Sequence, residues 1–209
     1  MSHQLFNGLY LLTSHDQHST RRLLEDIEQA LQAGARLIQY RDKSAEAEKR
    51  RQQAQALKQL CRTYDARLII NDDVELAHAI QADGVHLGRD DAALQQARTL
   101  LGAAAIIGLS CYNRLGLAVS AQQQGADYVA FGRFFSSSSK PEAVQANVAL
   151  LQTARAQLQL PIVAIGGITP DNAASLIEAG ADMVAVIHGV FGQPDIGHAT
   201  RQFVSLFNQ

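Results

Sequence analysis

Three cations, two carboxylates and a pair of glycines stand out in this sequence because each lies at or just past the end of an apolar run. Arg41 and Lys43 follow RLIQY, Asp72 follows RLIIN, Asp91 lies just beyond GVHLG, and Lys140 closes the stretch GRFFSSSSK at 132–140. Cations set beside a carboxylate pair suit a polyphosphate held partly by side chains and partly through magnesium, which takes one or two carboxylates and completes its shell with phosphate oxygens and water. Gly166-Gly167 ends PIVAIGG just before Pro170. Such a pair admits close backbone approach, and the free N–H groups of a following helix attract a phosphate. Ser136 to Ser139 supply hydroxyls and turn N–H groups that make a concave anion site, to which Lys140 adds a point charge. Each feature also has a plainer reading. Asp72-Asp73 is equally a helix N-cap, Arg41 with Lys43 a surface salt-bridge cluster, and Gly166-Gly167 a tight turn.

The elements that must position these residues are legible as an alternation. Short apolar runs at 8–13, 36–41, 67–72, 84–88, 105–110, 128–133, 161–167 and 183–189 do not alternate with polar residues. That pattern fits strands buried on both faces of a parallel sheet. Amphipathic stretches separate them, such as STRRLLEDIEQALQAG with Leu23, Leu24, Ile27, Ala30 and Leu31 at helical spacing behind Ser19 as N-cap. A weak repeat, LQAGARLIQ, IQADGVHLG, QQGADYVAFG and IEAGADMVAV, joins a helix end to a buried strand through glycine or Asp-Gly. Eight strands and eight helices in about 200 residues predict a single-domain (β/α)8 TIM barrel over 1–209. A doubly wound open sheet is the alternative, but it would need eight strands without a clear switch point. In a barrel the chemistry belongs at the C-terminal strand ends. Gln39 to Lys43, Asn71 to Asp73, Gly88 to Asp91, Ser110, the serine stretch, Gly166-Gly167 and Ile187-His188-Gly189 all fall there.

Composition narrows the function classes. A net charge of −2 argues against a nucleic-acid partner, and no segment reaches the roughly 20 apolar residues of a membrane helix. Cys61 and Cys111 stand far apart with no CxxC pair, which argues against a zinc site or a disulfide framework and for a reducing, cytoplasmic setting. A homo-oligomer is compatible with everything in the sequence.

Taken together, QYRDK at 39–43, NDD at 71–73, ADGVHLGRDD at 82–91, GLS at 108–110, GADYVAFGRFFSSSSK at 125–140, AIGGITPDN at 164–172 and GADMVAVI at 180–187 resemble the thiamine phosphate synthase family over essentially the whole chain. The resemblance implies a barrel that joins hydroxymethylpyrimidine diphosphate to hydroxyethylthiazole phosphate with release of pyrophosphate. It implies that Gln39, Tyr40, Arg41, Asp42, Lys43, Asn71, Ser110 and Lys140 hold the pyrimidine diphosphate, with Arg41, Lys43, Ser110 and Lys140 as catalytic groups. It further implies Mg2+ on Asp72 and Asp91, and thiazole phosphate on Ser137, Ser138, Ser139, Gly167, Ile187 and His188. The chain departs from the family pattern at Ser136, where proline is usual, at Arg89, at Tyr112, and at His188-Gly189, where Ser-Ala is usual. His86 inside GVHLG borders the site or simply packs within its strand. A thiazole tautomerase-like paralogue is the rival on the same barrel. Its histidine falls where this chain has Arg133, and it tends to lose the carboxylates and cations retained here. A non-catalytic phosphate-binding barrel is the other alternative, which would need Gly166-Gly167 but not Asp72 with Asp91.

Overall fold

A computed structural model of the chain describes residues 6–13, 19–88, 91–136 and 144–207, with the backbone alone at 91 and 92. Eight parallel strands close on themselves in sequence order, β1 pairing with both β2 and β8. They are β1 Gly8–Leu12, β2 Leu37–Tyr40, β3 Arg67–Asn71, β4 Gly84–Leu87, β5 Ile106–Tyr112, β6 Tyr128–Gly132, β7 Ile162–Ile165 and β8 Met183–Val186. Around them run α1 Thr20–Gln32, α2 Ala47–Thr63, α3 Val74–Ala79, α4 Asp91–Leu101, α5 Leu115–Gln123, α6 Val148–Gln157, α7 Pro170–Glu178, α8 His188–Phe191 and α9 Ile196–Ser205. None of these helices is long and apolar enough to cross a membrane.

The unbroken apolar strands have a direct cause in this topology. Successive side chains point to opposite faces, and here both faces are covered. Outward residues such as Leu11, Ile38, Leu68, Val129 and Val184 pack against Ile27, Leu31, Leu57, Leu151 and Phe203 of the helices. Inward residues form a second cluster inside the barrel, with Tyr10, Leu37, Ile69, Tyr128, Val163 and Met183 at its centre.

The recurring Asp before the strand is an anchor at the N-terminal end of the barrel. Asp83 Oδ2 accepts from Leu68 N and pairs with Lys58 at 2.6 Å. Asp127 Oδ2 accepts from Ile107 N and pairs with Arg98 at 2.8 Å. Asp182 Oδ2 accepts from Ile162 N and pairs with Arg155 at 2.7 Å. Each carboxylate therefore joins two adjacent strands and an even-numbered helix. The fourth copy of the repeat carries Arg36 instead, which donates to Leu31 O and Ala35 O at the end of α1.

Two expected elements differ in the structure. PEAVQANVALLQTARAQL at 141–158 reads as one helix in the sequence, but α6 begins at Val148, capped by Asn147 Oδ1 on Leu150 N. Residues before it are drawn into backbone pairing with Arg133, through Arg133 N to Val144 O and Ala146 N to Arg133 O. The eighth strand stops at Val186, and His188 opens the one-turn helix α8 inside what reads as strand. The helices thus number nine among the described residues rather than eight.

Candidate active site

A cavity of about 380 Å3 opens at the C-terminal ends of the strands, within the range of small-molecule sites. Its walls differ. From β2 to β5 the inward positions are polar, with Gln39, Asn71, His86 and Ser110. From β6 to β8 they are Ala130, Val163, Ile165 and Ala185, and Ile187 follows β8. One flank thus offers hydrogen bonds, and the other offers apolar contact for a flat ring.

Backbone contacts position the polar flank. Thr13, buried past the end of β1, accepts from Arg41 N at 2.8 Å and donates to Arg41 O at 3.3 Å, while its own N–H goes to Gln39 O. That clasp holds Arg41 at the mouth, where no carboxylate among the described residues pairs with its guanidinium. Lys43 is exposed two residues on and likewise has no carboxylate partner among the described residues. Beneath them lies a chain of side chains across the barrel interior. Gln39 Nε2 donates to Tyr10 OH at 2.8 Å, Tyr10 OH and Tyr128 OH are 2.8 Å apart, Tyr128 OH lies 3.0 Å from His86 Nδ1, and His86 Nε2 lies 2.9 Å from Ser110 Oγ. Burial pushes both tyrosine hydroxyls far up from their ordinary range, so both keep their protons. Gly108 faces Tyr128 in the β5–β6 register, and a Cβ there would collide with the phenol ring.

On the other flank, Gly166 and Gly167 take φ of +106° and +66°, a region glycine enters without cost. A Cβ on Gly166 would strike Arg133, and one on Gly167 would strike Ser136 O. Phe134 N and Phe135 N donate to Ile165 O and Gly166 O. The glycine pair thus seats the loop after β6 directly against the loop after β7. Asn172 secures it, accepting from Thr169 N and donating to Gly167 O.

Residues 9–190 match the family described as thiamine monophosphate synthase. The chain belongs to that family. It is 54% identical over 196 residues to a thiamine-phosphate synthase of Nitrosococcus oceani, covering 94% of this chain and 90% of the relative. To that of Thiobacillus denitrificans it is 51% identical over 200 residues, covering 96% and 94%. Among solved structures, the thiamine phosphate pyrophosphorylase from Pyrococcus furiosus superposes with a TM-score of 0.88 at 33% identity, covering 98% of this chain and 97% of that one. A 3-hexulose-6-phosphate synthase, at 16% identity and a TM-score of 0.73, shares the fold alone.

Of the residues that the family resemblance singles out, Gln39, Arg41, Asn71, Ser110, Gly167, Ile187 and His188 line this cavity. Tyr40 does not. Its side chain points out of the barrel into the helix layer, where its hydroxyl meets Gln53 Oε1 at 2.8 Å. Asp42 and Lys43 sit in the loop after β2, outside the lining. Ser137, Ser138, Ser139, Lys140 and the side chain of Asp91 lie outside the described residues. Ser136 is described, exposed, and lines the cavity.

Asp72 and Asp73 separate two readings that the sequence leaves together. Asp73 is the N-cap of α3, accepting from Leu76 N at 2.9 Å. Asp72 is exposed, takes φ +62°, and accepts from Asn71 Nδ2 at 2.7 Å. An exposed carboxylate beside a cavity-lining asparagine fits a hard cation such as magnesium. Among the described residues no three His, Cys, Asp or Glu gather as a closed metal site.

Tyr10, Arg133 and Gln193 also line the cavity, although the sequence motifs assign none of them a role in substrate binding. Arg133 directly follows β6, so the strand-end rule applied to every strand would have found it. Tyr10 and Gln193 carry no such signal. His86 meets both of its expected fates, being 8% exposed and part of the lining.

Proposed function

We propose that this chain is a thiamine phosphate synthase that condenses hydroxymethylpyrimidine diphosphate with hydroxyethylthiazole phosphate, giving thiamine phosphate and pyrophosphate. The observation that carries the reading is the two-sided cavity, polar from β2 to β5 and apolar beyond, with Arg41 at its mouth. The polar flank suits an aminopyrimidine, through Gln39, Asn71 and Ser110. Arg41, Lys43 and Lys140 would face its diphosphate. Gly167, Ile187, His188 and Ser137 to Ser139 would hold the thiazole phosphate.

The chemistry asks little proton transfer of the protein. The methylene–oxygen bond breaks with its electrons leaving on pyrophosphate, the aminopyrimidine delocalises the positive charge left behind, and the thiazole nitrogen lone pair closes the new carbon–nitrogen bond. Fixed cations aimed where negative charge develops are usually the largest catalytic contribution, a part that Arg41, Lys43 and Lys140 would play. The apolar flank excludes water that would otherwise capture the cation. Asp72 and Asp91 would hold Mg2+, which supplies charge neutralisation of the departing pyrophosphate.

Residues 1–209 would form one catalytic domain working in the cytoplasm on small molecules, without nucleic-acid or membrane partners. Incubating the purified chain with both substrates, with and without magnesium, tests the reading. Magnesium-dependent appearance of thiamine phosphate and pyrophosphate in equal amounts is expected. No product under either condition sinks it.

A further inference from the structure

The side-chain path across the barrel interior has a direction. Gln39 presents Nε2, which can only donate, to the hydroxyl of Tyr10. Tyr10 is 1% exposed, and its other hydrogen-bond partner among the described residues is Tyr128. If the Tyr128 proton pointed at Tyr10, the Tyr10 proton would be buried with no acceptor, an arrangement proteins avoid. The Tyr10 proton therefore goes to Tyr128, and the Tyr128 proton goes on to His86 Nδ1, 3.0 Å away. A ring nitrogen that accepts leaves the other to carry the hydrogen. His86 Nε2–H then donates to Ser110 Oγ at 2.9 Å, and the proton of Ser110 is left to point elsewhere.

We propose that Tyr10, Tyr128 and His86 form a one-way hydrogen-bond relay from Gln39 to Ser110, which fixes His86 as the Nε2–H tautomer and turns Ser110 into a hydrogen-bond donor facing the cavity. Tyr10, Tyr128 and His86 are positioning residues in this scheme. Ser110 is the group that meets the ligand, and the chemistry it selects is a lone-pair acceptor such as a ring nitrogen of an aminopyrimidine. That last step rests on the proposed function, whereas the tautomer does not. The relay also gives Gly108 a reason, since the Tyr128 ring occupies the space a side chain there would fill. The His86 ring stacks on Tyr128 with centroids 5.6 Å apart and planes 19° apart, which keeps Nδ1 aimed at the phenol.

Imidazole 15N shifts of the wild-type protein, with the His86 signals assigned by their loss in His86→Gln, read the tautomer without any substrate. Expected are an acceptor-type Nδ1 and a protonated Nε2. A protonated Nδ1 with a bare Nε2 overturns the relay. Gln39→Glu replaces the donor at the head of the chain by a group that only accepts, so every bond should reverse and His86 should become Nδ1–H. In Gln39→Glu combined with Tyr128→Phe that reversal should vanish. A folded Gln39→Glu whose His86 keeps its wild-type shifts is also decisive against the proposal, and if the variant does not fold, the wild-type shifts and Tyr128→Phe decide. Kinetically, Tyr128→Phe should raise KM for the pyrimidine diphosphate roughly five- to tenfold, the effect of one neutral hydrogen bond, with kcat and the KM for thiazole phosphate little changed. Equal effects on both substrates would make Tyr128 merely structural. Wild-type protein that forms no thiamine phosphate would remove the proposed function and leave the tautomer to stand or fall on its own spectrum.

Discussion

Asp72 holds a left-handed backbone conformation that aspartate and asparagine tolerate better than most residues. Asp72→Asn therefore preserves the turn and removes the charge. Turnover should fall by about 100-fold or more, in the range measured when charge stabilisation at a transition state is lost, while the melting temperature hardly moves. Undiminished thiamine phosphate formation in Asp72→Asn at saturating magnesium would take the metal away from this residue. Asp42 illustrates a different balance. Burial raises its pKa, but the hydrogen bond from Ser44 N to its carboxylate and the nearby Lys49 and Arg50 outweigh that, and the net direction is downward. A carboxyl whose folded value is depressed contributes stability above its unfolded pKa, and loses that contribution as pH falls through the folded value. The melting temperature of wild type should thus fall more steeply in acid than that of Asp42→Asn. Parallel acid limbs would show that Asp42 contributes nothing to this slope. Magnesium on Asp72 was expected, but which of Asp72 and Asp73 caps the helix and what holds the Asp42 carboxylate were not legible beforehand, because NDD and QYRDK name residue types without saying which turn each occupies.

At the level of elements, much was legible. Seven of the eight strands lie within the apolar runs and β5 overruns its run only at Cys111 and Tyr112, because a sheet covered on both faces leaves an unmistakable stretch of Val, Ile and Leu. The same property hid the site. In a strand apolar on both sides, periodicity does not say which residues face inward, so Gln39, His86 and Ser110 were visible as polar intrusions without a direction. Helix starts suffered for another reason, since α6 is displaced by backbone pairing with Arg133, a partner distant in sequence. The Asp anchors are the element-level feature with a measurable worth. Asp127→Ala strips the acceptor from Ile107 N and the partner from Arg98. It should destabilise the protein by about 1–3 kcal/mol, the range for leaving buried donors unpaired. Denaturant unfolding checks this through a lower midpoint at unchanged slope. A midpoint equal to wild type would reduce the anchor to decoration.

Seen whole, the molecule keeps its two jobs at opposite ends of one cylinder. Barrel closure, strand order and the location of the cavity mouth all followed from counting βα units and applying the strand-end rule to them. The contrast between the cavity's flanks did not, because it depends on the registers that bring Gln39 beside Ile69, His86 beside Gly108 and Ser110 beside Ala130.

The three carboxylate anchors all sit at the foot of the cylinder, while Arg41, Asn71, Ser110, Gly167 and His188 line the cavity at the rim. Mutational wear at the rim therefore leaves the ring shut. A lineage, or an engineer, can trial new reactants there in small steps without first having to reinvent how the hoop is fastened.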